Sequence, residues 1–109
     1  MTRTEIATMI GSVGVPFAYY QFPNDTPQEP PFICFYYPNS ANVSADNMPY
    51  AFKDELIIEL YTNEKDFDME STLETILINH GLNYAKTETY LDSERMQMEV
   101  YTMEVFING

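Results

Sequence analysis

The segment that most constrains the fold is Phe32–Tyr37, which reads FICFYY and is apolar or aromatic at every position. In a β-strand the side chains alternate between the two faces of the sheet, so both faces are greasy here. A chain of 109 residues can usually cover one face of a sheet with its own helices. The second face then needs another cover, which is either a curled sheet or long loop of the same chain, or another protein chain.

The N-terminal segment has the period of an amphipathic helix. Its apolar residues share one helix face: Ile6, Met9, Ile10 and Val13. Thr2 and Glu5 have the spacing of a capping box, in which each side chain accepts a hydrogen bond from the other residue's backbone N–H. Gly11, Gly14 and Pro16 follow and predict the end of this helix.

A second helix is predicted from about Asp66 or Asp68 to His80. The residues of its apolar stripe are Leu73, Ile76, Leu77 and His80. The acidic residues at its start favour the positive N-terminal end of a helix. Gly81 stands where a helix often ends with a residue in the left-handed conformation.

Five further segments have the composition of strands, namely residues 16–22, 32–37, 51–64, 83–91 and 95–107. The short turn Asp92–Glu94 joins the last two and predicts an antiparallel hairpin. The order α-β-β-β-α-β-β predicts one α+β domain over residues 1–109. We expect a two-layer sandwich, with a mainly antiparallel five-stranded sheet and two helices on one face. The alternative is a partly rolled sheet around one helix.

Strand parity predicts a subunit interface on the face that the helices leave open. In the third strand Leu56, Ile58 and Leu60 form the presumed core face, which leaves Ile57 and Tyr61 on the other side. The full predicted interface is Phe35, Tyr37, Ile57, Tyr61, Tyr101, Met103 and Val105. Large exposed apolar patches are uncommon in soluble monomers, so we expect a homo-oligomer to bury this one.

The charge balance excludes two classes of partner. The chain has 17 acidic and 5 basic residues, which gives a net charge of −12. A nucleic-acid groove needs clustered Lys and Arg, whereas the basic residues here are scattered. The same deficit argues against docking to an anionic membrane. The sequence also has no run of the roughly 20 apolar residues that span a bilayer.

The sequence offers no pattern typical of an enzyme, a metal site or a cofactor site. His80 is the only histidine, and Cys34 is a single cysteine within an apolar run. Asp66, Asp68 and Glu70 resemble half a calcium loop, but the glycine that an EF-hand requires is missing. No glycine-rich phosphate loop is present. We therefore predict a non-enzymatic protein without catalytic residues, cofactor or metal.

The polar stretch from Pro38 to Pro49 is long for a loop in a compact domain, and such loops are often functional. It is the predicted partner-contacting loop. Its candidate contact residues are Asn39, Asn42, Asp46, Asn47 and Met48.

Several segments resemble a known protein family: FAYYQFP, PPFICFYYP, ELYTNEKDFDMESTLETIL and YAKTETYLDSERMQMEVYTMEVFI. The most telling parts are Glu59–Thr62 followed by Lys65–Asp66, and the turn within Tyr90–Met96. Together they resemble the tail terminator, or head–tail joining, proteins of bacteriophages that have long non-contractile tails and infect Gram-positive hosts. The likeness covers nearly the whole chain.

The resemblance implies a structural protein that assembles as a hexameric ring. Such a ring caps the head-proximal end of the tail tube, stops its polymerisation and contacts the head connector or stopper protein. DNA passes through the lumen without specific binding. The implied location is the virion, at the head–tail junction, after assembly in the host cytoplasm. The alternatives are another connector component, such as a stopper or minor capsid protein, and an acidic inhibitor that mimics nucleic acid.

Overall fold

The structure, a computed structural model, describes residues 1–23, 28–38 and 52–107. Its helices are α1 (Arg3–Gly11) and α2 (Phe67–Asn79). Its strands are β1 (Phe17–Tyr19), β2 (Phe32–Tyr36), β3 (Phe52–Thr62), β4 (Tyr84–Leu91) and β5 (Met96–Ile107). The strands form one five-stranded sheet in the spatial order β1-β2-β3-β5-β4.

The predicted α+β class, with five strands and two helices, is confirmed. The sheet is mixed, however, because β1 pairs with β2 in parallel while the other three pairs are antiparallel. A parallel pair cannot be joined by a tight hairpin turn, and the sequence between the end of β1 at Tyr19 and the start of β2 at Phe32 is long enough for a crossover. The strand order also differs from the order along the chain, because β5 lies between β3 and β4.

Both helices begin and end where local chemistry favours it. At the start of α1 the Glu5 N–H donates to Thr2 Oγ1 (3.1 Å) and the Thr2 N–H donates to Glu5 Oε1 (2.7 Å), which confirms the capping box. At the start of α2 the Asp66 side chain accepts from the Met69 N–H at 3.0 Å. After α2, Gly81 has a φ of +74° and is the predicted left-handed residue.

The core lies between the helices and one face of the sheet. The α1 and α2 residues in it are Ile6, Met9, Ile10, Leu73 and Leu77. The sheet residues in it are Ile33, Phe35, Leu56, Ile58, Leu60, Tyr101, Met103, Val105 and Ile107. These side chains form one cluster, so both helices cover the same face. Each fully buried large apolar side chain contributes roughly 1.5–3 kcal/mol before entropy is subtracted.

The structure corrects the parity assigned to β2 and β5. Phe35 and Tyr101 both lie opposite Ile58 across the strands, and Ile58 is a core residue. Directly opposed residues share a face of the sheet, so these two side chains point to the helices and not to the open face. The same holds for Met103 and Val105, which are buried in the core. Neither strand's own sequence could decide this, because both of its faces are apolar.

Candidate subunit interface

The sheet face opposite the helices, here called the open face, carries three rows of side chains that run across the strands. The rows, from β2 through β3 and β5 to β4, are Tyr36–Ile57–Thr102–Ala85, Cys34–Glu59–Val100–Thr87 and Phe32–Tyr61–Met98–Thr89. Ile57 and Tyr61 therefore lie on this face, away from the core. They are the two predicted interface residues that the fold places there.

The chain itself covers the β2 side of the open face. Tyr20 has a φ of +70°, and this turn takes the chain out of β1. The ring of Phe22 then packs edge-on against Phe32, with centroids 5.5 Å apart. Phe32, under this ring, is 9% exposed, and the neighbouring Cys34 on the same face is 5% exposed. The same chain thus covers this half of the open face, which is one of the two alternatives that the sequence allows.

The β3–β5 half of the open face remains partly exposed within the described structure. Its apolar stripe consists of Ile57, Tyr61, Met98, Val100 and Phe106. The first four are partly exposed, and Phe106 is 60% exposed. A shallow pocket of about 560 Å³ adjoins the stripe, and its apolar lining includes Phe22, Phe32, Tyr61, Leu91 and Met96. This half of the face presents both an apolar area and a recess beside it.

Acidic groups lie among these apolar side chains. Glu59 Oε1 accepts a hydrogen bond from the Tyr61 hydroxyl at 2.8 Å. Burial, together with this bond, raises the pKa of Tyr61 well above its usual range. Lys53 and Glu104 form an exposed ion pair of 2.7 Å beside Phe106. The open face thus has apolar side chains along its centre and carboxylates among them. Two such faces would repel each other at low salt, and added salt would screen this repulsion.

The other predicted site residues lie elsewhere. Tyr37 packs against the core on the helix side, with the Arg3 guanidinium 5.4 Å from its ring centroid. Phe35, Tyr101, Met103 and Val105 are core residues, as described above. The predicted partner-contacting residues Asn39, Asn42, Asp46, Asn47 and Met48 lie outside the described residues.

A cluster of charged side chains between α2 and the sheet is a feature that the sequence did not predict. This lysine–glutamate cluster consists of Lys65, Lys86, Glu70, Glu74, Glu88 and Glu99. Lys65 Nζ lies 3.0 Å from Glu70 and 2.9 Å from Glu99, whose side chains are 3% and 1% exposed. Lys86 Nζ lies 2.6 Å from both Glu70 and Glu74. The cluster joins α2 to β4 and β5 through ion pairs in which two carboxylates, Glu70 and Glu99, are buried and the lysines are partly exposed.

The cluster shifts the titration of its members in opposite directions. Burial raises the pKa of Glu99, and the hydrogen bonds from Lys65 and Gln97 only partly offset it. For Glu74 burial acts in the same direction, but hydrogen bonds from Lys86 and the Tyr101 hydroxyl outweigh it and lower the pKa. Every described carboxylate in the cluster has a lysine partner, and a structural ion-pair network of this kind is sufficient to shift the pKa values of its members.

The remaining reactive side chains are also engaged or inert. The His80 ring Nδ1 lies 2.8 Å from the Ile76 carbonyl oxygen. Burial, with the charge of Glu59 nearby, raises the pKa of Cys34 to about 11, so its thiol is protonated at neutral pH. Within residues 1–23, 28–38 and 52–107, no group of three His, Cys, Asp or Glu side chains is arranged to hold a metal ion. None of the described helices is long and apolar enough to cross a bilayer.

No protein-family model matches the chain, and no curated protein matches it at a significant level. The features that bear on function are therefore the open face, the charge distribution and the sequence segments that resemble a known family.

Proposed function

We propose that this protein is a structural component of a bacteriophage virion. In this proposal, copies of the chain form a hexameric ring at the head-proximal end of a long, non-contractile tail. The ring ends polymerisation of the tail tube and contacts the head connector. The segments quoted above, from FAYYQFP to YAKTETYL, supply the family likeness that gives the ring its place in the virion.

The single observation that carries the proposal is the apolar stripe on the open face. Ile57, Val100 and Met98 lie on neighbouring strands and are covered by neither helix. A second copy that packs on this stripe removes apolar area from water, at about 25 cal/mol per Å². The fold thus supplies a reason for self-association that the net charge of −12 alone would oppose.

The charge distribution supports a lumen through which DNA slides without binding. Four of the five basic residues have acidic partners within the chain: Arg3, Lys53, Lys65 and Lys86. Among the described basic side chains only Arg95 lacks such an ion pair, and the N-terminal ammonium of Met1 donates to the Phe106 carbonyl oxygen at 2.9 Å. The surface that remains is strongly acidic. DNA is repelled by such a surface, because no cluster of free cations is available to displace its counterions.

Sedimentation and electron microscopy of the purified protein test the proposal. Screening weakens the repulsion between copies, so we expect rings with a central hole to form more readily as salt is raised. Ile57→Asp adds a charge to the stripe and should leave a folded protein that does not assemble. Ser71→Asp, on the exposed side of α2, is the matched control and should assemble normally.

Circular dichroism separates loss of assembly from loss of folding in these variants. A protein that stays monomeric at every salt concentration, or Ile57→Asp rings identical to the wild type, would contradict the proposal. The position of the ring in the virion distinguishes a terminator from a stopper or minor capsid protein. Labelling of intact particles with an antibody against the chain gives that position.

A second candidate is an acidic inhibitor that mimics nucleic acid. The observation that favours it is the same pairing of cations, which leaves mainly carboxylates at the surface. Such a protein binds a basic groove and does not need the apolar stripe. Competition between the protein and duplex DNA for a nuclease would support this candidate, and the absence of competition would leave the ring.

A further inference from the structure

The long edge of the sheet is the outer side of β4. This strand lies at the end of the sheet and spans Tyr84–Leu91, and its residues 85–90 are all exposed. Within the described part of the chain no strand pairs with its outer side. An edge strand offers unpaired N–H and C=O groups to another strand, and proteins commonly protect such edges with Pro, bulges or charged side chains, especially Lys. β4 has no Pro, and its two charged side chains already have partners within the chain: Lys86 pairs with Glu70 and Glu74, and Glu88 pairs with Lys65.

The sequence of β4 is complementary to itself in the antiparallel direction. When two copies of YAKTETY are centred on Thr87, Lys86 of each copy lies opposite Glu88 of the other. Tyr84 then lies opposite Tyr90, and Ala85 lies opposite Thr89. Cross-strand pairs of opposite charge and of aromatic rings each stabilise a sheet by roughly 0.2–1 kcal/mol relative to alanine pairs.

Neighbouring registers are disfavoured by charge. Opposed residues must share a face of the sheet, so a two-fold contact between β4 strands is centred on a residue. Centring on Lys86 places the two lysines opposite each other, and centring on Glu88 does the same with the two carboxylates. Like charges directly opposite destabilise strand pairing. Of these registers, only the one centred on Thr87 opposes unlike charges.

The helix layer leaves room for this contact. Lys86, Glu88 and Tyr90 lie on the helix-covered face of the sheet, opposite the buried β5 residues Tyr101, Glu99 and Gln97, yet all three are exposed. α2 contacts this edge at Lys86 through Glu70 and Glu74, whereas Glu88 and Tyr90 are more than half exposed. The Glu88 side chain is 56% exposed although it is bonded to Lys65, so it stays within reach of a second copy.

We propose that two copies of this chain pair through their β4 edges, antiparallel and with Thr87 on the two-fold axis, to form a continuous ten-stranded sheet. The contact goes beyond the proposed ring, because it uses the edge of the sheet and not the apolar stripe. It joins two subunits or two rings by a two-fold axis, whereas the stripe joins neighbours within a ring.

A cysteine placed on the axis tests the register directly. Opposed Cα atoms in an antiparallel pair are about 4.5–5.5 Å apart, within the range that a disulfide spans. The Thr87→Cys protein should therefore form a disulfide-linked dimer under mild oxidation with glutathione. In Thr89→Cys the equivalent Cα atoms are about 13 Å apart along the strand, at roughly 3.3 Å per residue, so this matched control should form at least tenfold less dimer. The wild-type protein, whose single cysteine is the buried Cys34, shows how much disulfide-linked dimer forms without an added cysteine.

Charges placed on the axis give a second test that needs no oxidation. Thr87→Lys and Thr87→Glu each put like charges about 5 Å apart, so each should weaken dimerisation roughly fourfold or more. An equimolar mixture of the two variants should dimerise again, because the charges on the axis are then opposite. Sedimentation of each variant and of the mixture measures this, and circular dichroism checks that both variants fold.

The outcomes separate this inference from the proposed ring. Equal cross-linking of Thr89→Cys, no cross-linking of Thr87→Cys, or no recovery in the mixture would overturn the edge contact. Ile57→Asp should abolish rings and leave the Thr87→Cys disulfide intact. Rings that form normally without that disulfide would overturn the edge contact and leave the proposed ring standing.

Discussion

Replacing Lys65 with methionine should destabilise the fold far more than replacing Lys53, whose partner Glu104 is exposed. The Lys65 ammonium is the nearest cation to Glu99 and one of two cations on Glu70. Both carboxylates are almost fully buried, with side chains 1% and 3% exposed. Methionine has a similar length but no charge, so the variant leaves Glu99 buried without a counter-ion.

The size of the effect follows from burial. Removing one partner of a buried ion pair costs about 3–5 kcal/mol. The Lys65 side chain is itself 30% exposed, which places the expected loss at the lower end, about 3 kcal/mol. At about 4 °C per kcal/mol for a chain of this size, the melting temperature should fall by roughly 12 °C.

Urea unfolding followed by circular dichroism measures this loss, with Lys53→Met as the matched control. Lys53 pairs with Glu104 at 2.7 Å, but both side chains are about 60% exposed. Such surface pairs contribute only about 0–1 kcal/mol. Equal losses of stability in Lys65→Met and Lys53→Met would refute the claim that burial of Glu70 and Glu99 increases the contribution of these ion pairs to the free energy of unfolding.

Two further predictions concern the same cluster. Burial raises the pKa of Glu99, so the folded state binds the Glu99 proton more tightly than the unfolded state does. The stability that this proton contributes is present at low pH and is lost as the pH rises through the folded-state pKa. Glu99→Gln should therefore be more stable than wild type at pH 7 and should lose that advantage below about pH 4, where glutamate ordinarily becomes protonated. Thermal melts from pH 3 to 8 measure this difference. A variant that is less stable than wild type at pH 7 would contradict the prediction. The buried Tyr101 hydroxyl donates to Glu74 Oε2 at 2.7 Å. In urea unfolding, Tyr101→Phe should lower the free energy of unfolding by about 1.5–3 kcal/mol, as expected for a hydrogen bond to a charged group. A loss below about 0.5 kcal/mol would show that Lys86 alone satisfies Glu74.

The helices were predictable because their signals are local. Thr2 and Glu5 lie within one turn of each other, and Gly81 directly follows the last apolar turn of α2. The parity of β3 was predictable for a similar reason, since its core face is Leu56, Ile58 and Leu60 while the other face includes glutamates.

The sides of β2 and β5 could not be predicted from their own sequences. Both faces of each strand are apolar, so only the register with β3 decides which residues meet the helices. The lysine–glutamate cluster was also beyond local reasoning. Lys65 is five residues from Glu70 but 34 residues from Glu99, and only the folded sheet brings them together.

The first strand was predicted too long for a physical reason of the same kind. The sequence indicates a strand over residues 16–22, whereas β1 ends at Tyr19. Tyr20 then adopts a positive φ, which allows Phe22 to pack on Phe32. Burial of these two rings against each other outweighs the strand propensity of the segment.

Because most of the basic residues are paired within the chain, the stability of the fold and the charge of the surface depend on different residues. Lys65 and Lys86 fasten α2 to the sheet, whereas exposed acids such as Glu29, Asp68 and Glu94 lie outside the core. Changes to the outer acids alter the electric field that an approaching polyanion meets while the internal fastening stays the same. Mutation of the outer acids can therefore change the surface charge of this protein without weakening the ion pairs that join α2 to the sheet.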